Sequence, residues 1–131
     1  MQNTINKWHQ FISERKPELL NEILAEDVVF HSPVLFTPQE GKFITSMYLM
    51  AALKVLDSET DGFQYVNEVV GEKFSVLEFV TTIDGLTING VDMMEVNESG
   101  EVINFKVMIR PMKALHKVAE KMKEMLESFG K

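Results

Sequence analysis

Residues 74–110 carry the pattern that decides the fold: FSVLEFVTTIDGLTINGVDMMEVNESGEVINFKVMIR. Apolar and polar residues alternate with a period of two, which is typical of β-strands that bury one face. The alternation stops at Asp84-Gly85, a pair that favours a two-residue hairpin turn, and again at residues 97–100. A shorter alternating stretch precedes this segment. The pattern therefore predicts four antiparallel strands in a meander over residues 63–110.

The two turns predict which side chains share a face of the sheet. A two-residue turn pairs Ile83 with Leu86 and places Leu77 opposite Asp92. If the second turn contains four residues, Asp92 lies opposite Phe105. One face, called here the inner face, then collects a mostly apolar set: Leu77, Phe79, Ile83, Leu86, Ile88, Met94, Ile103, Phe105, Val107 and Ile109. Asp92 is predicted to point inward among them.

The opposite face of the sheet, called here the outer face, is too apolar to be fully solvated. Its predicted members are Val76, Glu78, Val80, Val91, Met93, Asn104, Lys106 and Met108. We expect a helix or a second copy of the chain to cover it, with a homodimer as the predicted assembly. Glu78 is expected to pair with Lys106 on this face, whereas a one-residue change of register would bring Glu78 beside Asp92.

The remaining segments predict helices and one more strand. Helices are expected at 4–13, with Asn3 as N-cap, at 17–25, at 42–56 and after Pro111, and a strand is expected at 27–34. The third helix is apolar almost all round and needs partners on several sides. Together these elements predict one α+β domain over residues 1–131, in which a bent sheet curls around a helix and encloses a mostly apolar pocket.

Composition excludes several classes of function. The net charge of −7 opposes binding to nucleic-acid phosphates. Without cysteine there is no disulfide, thiolate nucleophile or zinc–sulfur site, and the three histidines lack metal-ligand spacing. The longest apolar stretch, residues 47–56, is too short to span a membrane. The first ten residues lack the pattern of a secretory signal, so a cytoplasmic location is expected.

The order of elements resembles the nuclear transport factor 2-like superfamily, and its SnoaL-like branch in particular. The resemblance rests on the strand end His31-Ser32-Pro33-Val34, the helix that opens at Gly41, and the segment GVDMMEVNESGEVINF at residues 90–105. It implies a cone-shaped, cystatin-like α+β barrel with a pocket between sheet and helices, and a dimer through the outer face. The superfamily includes ketosteroid isomerase, polyketide cyclases, limonene epoxide hydrolase and non-catalytic members, so the fold does not choose a function.

The resemblance carries over one catalytic group of ketosteroid isomerase. Asp92 falls on the position of the oxyanion-hole acid, which stays protonated in an apolar site and donates a hydrogen bond. The proton-abstracting Asp of that enzyme falls on Ser32, and its oxyanion-hole Tyr falls near Trp8 or His9. The resemblance therefore implies the acid without the complete catalytic set.

Each candidate site residue has a functional and a structural interpretation. Asp92 is either a general acid with a raised pKa or a structural residue held by a backbone amide, Trp8 or Tyr48. His31 is either a general base acting across the pocket or a solvent-facing residue at the end of a strand. The residues that either line a ligand pocket or simply fill the core are Trp8, Phe11, Phe30, Ser32, Tyr48, Tyr65, Met94 and Phe105.

Two functions are compatible with these observations. The first is a domain that binds a small apolar or cyclic molecule and carries out acid–base chemistry of the isomerase, cyclase or hydratase type at Asp92, with no metal or organic cofactor. The alternative is a non-catalytic ligand-binding or dimerisation module of the same fold. A hollow interior favours the first, whereas an interior filled by Trp8, Tyr48 and the methionines favours the second.

Overall fold

The computed structural model describes residues 1–57 and 62–129, with the side chain of residue 129 left out. Within these residues the chain forms an α+β fold, as predicted. Its elements are α1 (Gln2–Glu14), α2 (Pro17–Ile23), β1 (Leu24–His31), β2 (Gln39–Glu40), α3 (Lys42–Leu56), β3 (Gln64–Val70), β4 (Phe74–Ile83), β5 (Leu86–Val96), β6 (Val102–Arg110) and α4 (Met112–Phe129).

The strands form one mixed, curved sheet in the order β2-β1-β6-β5-β4-β3. Strands β3 to β6 are the predicted antiparallel meander, and β1 joins it by pairing parallel to β6. The meander places β5 in the middle of the long strands, and β3 lies at an edge of the sheet.

The first hairpin has the predicted register and the second differs from it by two residues. Ile83 pairs with Leu86 and Leu77 with Asp92, as the Asp84-Gly85 turn requires. Asp92 pairs with Val107, however, rather than with Phe105. The second turn is one residue longer than predicted, and an irregularity near the end of β5 adds one more. A shift of two keeps every side chain on its face, so the inward direction of Asp92 is unaffected.

Some element ends differ from the sequence prediction. Helix α1 begins after Met1, not after Asn3, and its N-cap makes no side-chain hydrogen bond. Helix α2 ends at Ile23 instead of at residue 25, and strand β1 begins at Leu24 instead of at residue 27, because Leu24 is fully buried and pairs with Val102 of β6. The strand ends at His31 because Pro33 offers no backbone donor and the Ser32 hydroxyl accepts a hydrogen bond from the Val34 amide at 3.1 Å.

The inner face of the sheet packs against three helices. The larger core cluster joins Trp8 of α1 and Leu53 of α3 to Phe105 of β6. A second cluster joins Val118 of α4 to Phe79 of β4. The bent sheet therefore encloses its helices from one side, and the space between the two clusters is where a cavity forms.

The outer face carries no helix among the residues that the structure describes, and Met108 on it is 54% exposed. Glu78 lies on this face, as predicted, but its carboxylate accepts hydrogen bonds from the side-chain amides of Asn67 at 2.8 Å and Asn89 at 3.0 Å. The expected Glu78–Lys106 ion pair is not formed, because the two-residue change of register puts Met108 rather than Lys106 in line with Val91 and Glu78. Glu78 therefore does not share the inner face with Asp92.

Candidate active-site cavity

A cavity of about 580 Å³ opens between the inner face of the sheet and helices α1, α3 and α4. Its walls are almost entirely apolar: Ile12, Phe30, Leu49, Leu53, Leu56, Phe63, Phe105, Val107, Ile109, Val118, Met122 and Leu126, with Pro33, Val34 and Leu35 from the loop after β1. The interior of the chain is thus hollow rather than filled. A cavity of this size and lining suits a mostly apolar small molecule.

Asp92 is the one carboxyl group that the sheet contributes to the lining of this cavity. Its side chain projects from β5 onto the inner face, where the residue is only 6% exposed. Burial raises the pKa of the Asp92 carboxyl from 3.8 to about 7, and a hydrogen bond from Tyr65 opposes part of that rise. Near neutral pH the carboxyl therefore exists in both protonation states and is able to donate or accept a proton.

A directed chain of hydrogen bonds reaches Asp92 from α1. The indole Nε1 of Trp8 donates to the hydroxyl oxygen of Tyr65 at 2.8 Å. The Tyr65 hydroxyl donates in turn to Oδ2 of Asp92 at 2.5 Å. Burial, and then the nearby Asp92 charge, raise the pKa of the Tyr65 hydroxyl well above its ordinary value, so Tyr65 keeps its proton and acts as a donor.

Aromatic packing holds this chain in place. Trp8 is 3% exposed, and its ring lies 5.4 Å from that of Phe11 and 5.1 Å from that of Phe105, measured between centroids. Tyr65 lies on β3 and meets the rings of Phe63 and Phe79 edge-on at 5.1 and 6.4 Å. Three elements, α1, β3 and β5, therefore fix the three polar groups relative to one another.

Gly90 makes room for the ring of Phe79 beside the acid. A Cβ atom on Gly90 would lie 2.5 Å from Cζ of Phe79 and 2.7 Å from the backbone oxygen of Met108. Only glycine fits this position on β5 without displacing the neighbouring strand. The absence of a side chain at Gly90 thus allows the fully buried Phe79 ring to pack directly against β5.

Six of the residues proposed from sequence line the cavity together with Asp92: Trp8, Phe30, Ser32, Tyr48, Tyr65 and Phe105. Phe11 and Met94 do not, because both are fully buried in the larger core cluster. His31 is also absent from the lining, since strand alternation turns it away from Phe30 and Ser32. The position of His31 therefore does not support a general base acting across the pocket.

Two parts of the site were not found by sequence reasoning. The partner of Asp92 is Tyr65 rather than Trp8, Tyr48 or a backbone amide, and only the register across β3 and β4 brings the two together. Helix α4 contributes a whole wall, including the exposed side chains of Lys123 and Glu127. Its amphipathic pattern identified a buried face but not the space that this face borders.

Neither a metal-binding cluster nor a membrane-spanning helix occurs in the described part of the chain. Residues 1–57 and 62–129 contain no group of three or more histidine, aspartate or glutamate side chains placed to hold a metal ion. Within the same ranges, no helix combines the length and the apolar character that crossing a membrane requires.

Solved structures share this architecture. A steroid delta-isomerase from Pseudomonas aeruginosa is 31% identical, with a TM-score of 0.90, and the match covers 98% of this chain and 92% of that one. An uncharacterized protein with a cystatin-like fold from Silicibacter pomeroyi DSS-3 is 27% identical, with a TM-score of 0.85 and coverage of 95% and 85%. A SnoaL-like family protein from Agrobacterium tumefaciens str. C58, 17% identical with a TM-score of 0.61 and coverage of 85% and 100%, shares the fold.

Fold and cavity together define an α+β protein with a pocket between an open, curved sheet and its helices. The chain belongs to the nuclear transport factor 2-like superfamily and is related to a steroid delta-isomerase of that fold. This confirms the relationship predicted from the order of elements. No family model and no curated protein matches the chain.

Proposed function

We propose that the chain binds a cyclic, mostly apolar small molecule whose oxygen atom accepts a hydrogen bond from protonated Asp92. In this proposal Asp92 is the acid of a cofactor-free reaction of the isomerase, cyclase or hydratase type. The observation that carries the proposal is a single buried carboxyl in an apolar cavity, with a pKa raised to about 7.

The surroundings of Asp92 support this role. A buried carboxylate surrounded by apolar side chains is costly, so the neutral acid is favoured until the pH reaches about 7. A neutral acid in a dry cavity donates a strong hydrogen bond to a carbonyl or enol oxygen, and such donors stabilise the charge that develops there during proton transfer. The apolar walls would hold the carbon skeleton of the ligand by burial alone.

Paired ligands with and without a carbonyl test the proposal. The bicyclic ketone 1-tetralone and its parent hydrocarbon tetralin isolate the hydrogen bond, and steroid ketones extend the series because a 31% identical relative is named a steroid delta-isomerase. We expect the protein to prefer 1-tetralone over tetralin by about tenfold at pH 6, the value of one hydrogen bond. Calorimetry or fluorescence titration measures both affinities.

Two substitutions at Asp92 separate the donor from the shape of the site. Asp92→Asn keeps a donor that does not titrate, so its preference for the ketone is expected to be constant with pH. The unsubstituted protein is expected to lose its preference for the ketone as the pH rises through 7 and the donor ionises, a loss that levels off at about tenfold. Asp92→Leu is expected to abolish the preference. Equal affinities for ketone and hydrocarbon in the unsubstituted protein would contradict the proposal.

One observation favours the non-catalytic alternative. Ser32, which falls where the isomerase has its proton-abstracting group, accepts a hydrogen bond from the Val34 amide and carries no carboxylate. A binding module would hold the ketone without exchanging its protons. Proton NMR in D₂O distinguishes the two functions: an enzyme accelerates loss of the signals next to the carbonyl and Asp92→Leu stops this, whereas a module leaves the signals unchanged.

We also propose that two copies of the chain associate through the outer face. The half-buried residues Val76, Val91 and Met93 continue into Met108, which is 54% exposed, and form an apolar surface on β4 to β6. Two-fold symmetric dimers are the commonest oligomers, and their interfaces bury the same surface of both copies.

A charge placed at the centre of the proposed interface tests the dimer. Met108→Glu is expected to shift the protein from dimer to monomer in analytical ultracentrifugation, because a carboxylate would be buried without a partner. Met112→Glu is the matched control, since Met112 is 74% exposed at the start of α4 and lies outside the outer face. An unsubstituted protein that sediments as a monomer would overturn this assignment of the face.

A further inference from the structure

We propose that Trp8 is a positioning residue that decides which oxygen of Asp92 carries the proton. It does so by holding the Tyr65 hydroxyl in the orientation that donates to Oδ2. This inference rests on the proposed function, in which Asp92 donates a hydrogen bond into the cavity.

The direction of the hydrogen-bond chain follows from the chemistry of its first member. An indole N–H only donates, whereas a hydroxyl has one proton to donate and lone pairs to accept. Trp8 Nε1 donates to the Tyr65 oxygen at 2.8 Å, so the Tyr65 proton is left for the 2.5 Å contact with Asp92. Oδ2 of Asp92 is therefore an acceptor in this arrangement.

The proton of the neutral acid then belongs on the other carboxyl oxygen. In the part of the chain that the structure describes, Tyr65 is the one side chain that hydrogen-bonds to the Asp92 carboxylate. Oδ1 is thus left for a molecule in the cavity that Asp92 lines. A proton on Oδ1 is available to a ligand oxygen, whereas a proton on Oδ2 would not be.

Removing the indole N–H would allow the opposite arrangement. With no donor at its oxygen, the Tyr65 hydroxyl would be free to turn and accept a hydrogen bond from the protonated Asp92 carboxyl. The acid would then be satisfied by Tyr65 and would no longer donate into the cavity. Trp8 is buried between aromatic rings and cannot move away, so it prevents this internal closure.

Other titratable side chains lie near the hydrogen bonds that link Trp8, Tyr65 and Asp92. His9 of α1 packs edge-on against the Tyr65 ring at 5.3 Å and pairs with Glu68 of β3. The charge of Glu68 also contributes to the raised pKa of Tyr65. Lys123 and Glu127 of α4 line the cavity. Titration must therefore be followed at the Asp92 carboxyl itself and not through a global signal.

A double-mutant cycle of Trp8→Phe and Tyr65→Phe tests the inference. Phenylalanine keeps an aromatic ring and removes only the polar group. Carbon-13 NMR of the Asp92 carboxyl measures its pKa in the four proteins, without any ligand. We expect Trp8→Phe to raise this pKa by about one pH unit, because the neutral acid gains Tyr65 as an acceptor and the carboxylate loses a polarised donor. In the Tyr65→Phe background the same substitution is expected to have no effect.

Ligand binding supplies the second measurement. At pH 6, Trp8→Phe is expected to reduce the preference for 1-tetralone over tetralin about tenfold, and to cause no further loss when Tyr65 is already Phe. This combination, a more basic carboxyl that donates less well to ligand, is not expected if Trp8 acts only through packing.

Three results would overturn the inference: an unchanged Asp92 pKa in Trp8→Phe, a lowered one, or equal effects of Trp8→Phe in both backgrounds. The failure of the proposed function is separately recognisable. If the unsubstituted protein shows no preference for the ketone, the proposed function is wrong. The Asp92 pKa values of the four proteins still decide whether Trp8 orients Tyr65.

Discussion

Replacing Asp92 with Asn is expected to stabilise the folded chain by roughly 4 kcal/mol above pH 7 and to change its stability little below about pH 4. The amide has nearly the shape of the neutral acid and is able to accept the hydrogen bond from Tyr65. The difference arises because the carboxyl has a pKa of about 7 when folded, compared with 3.8 when fully solvated.

The sign follows from proton binding. Between about pH 4 and pH 7 the folded chain retains the Asp92 proton that the unfolded chain has released, so raising the pH destabilises the folded state. This loss of stability is complete above pH 7, where Asp92 is ionised in both the folded and the unfolded chain. Asparagine avoids the whole penalty because it does not ionise.

Urea unfolding of both proteins from pH 3 to pH 9 measures this difference. Glu78→Gln is the matched control, because the hydrogen bonds from Asn67 and Asn89 lower the pKa of the Glu78 carboxyl and the sign is reversed. Its loss of stability should be present at neutral pH and vanish as the pH falls. A difference between Asp92→Asn and the unsubstituted protein that does not vary with pH would show that Asp92 titrates ordinarily.

Gly90→Ala is expected to destabilise the chain by roughly 2–3 kcal/mol. The new methyl group would meet Phe79 at 2.5 Å and the backbone oxygen of Met108 at 2.7 Å. An aromatic ring is able to shift, but the backbone oxygen belongs to β6 in the middle of the sheet and is held by its pairing with β5. Thermal and urea unfolding measure the loss.

The Phe79→Leu substitution separates the two contacts. In the Gly90→Ala background it relieves the contact with the ring and leaves the contact with the Met108 oxygen. Gly90→Ala is therefore expected to cost less stability in the Phe79→Leu protein than in the unsubstituted protein. If Gly90→Ala is as stable as the unsubstituted protein, β5 and β6 move apart more easily than their pairing suggests.

The sheet was predictable from sequence because its turns carry strong local signals. The Asp84-Gly85 turn gave the first register correctly. The second turn gave a register that was wrong by two residues, since Asn97 caps a longer loop by accepting from the amides of Ser99 and Glu101. The face of Asp92 was still predicted correctly, because side chains repeat every two residues along a strand.

The site was less predictable because its parts come from distant segments. Tyr65 and Asp92 are 27 residues apart and lie on strands separated by β4. Whether the Tyr65 hydroxyl reaches over that strand depends on the irregularity in the pairing of β3 with β4 after Tyr65. Such an irregularity has no sequence signal here, and neither does the docking of α4 that makes its apolar face a cavity wall.

The edge position of β3 gives the acid a link to local opening of the sheet. Strand β3 pairs on one side only, and most of its residues are exposed, so it is expected to open before the central strands do. Opening withdraws Tyr65 and admits water to Asp92, and burial is the largest cause of the raised pKa of Asp92. The opened form therefore holds the Asp92 proton less tightly, and by reciprocity each proton taken up favours the closed form. A rise in pH is thus expected to loosen the strand that borders the cavity while the rest of the sheet stays paired.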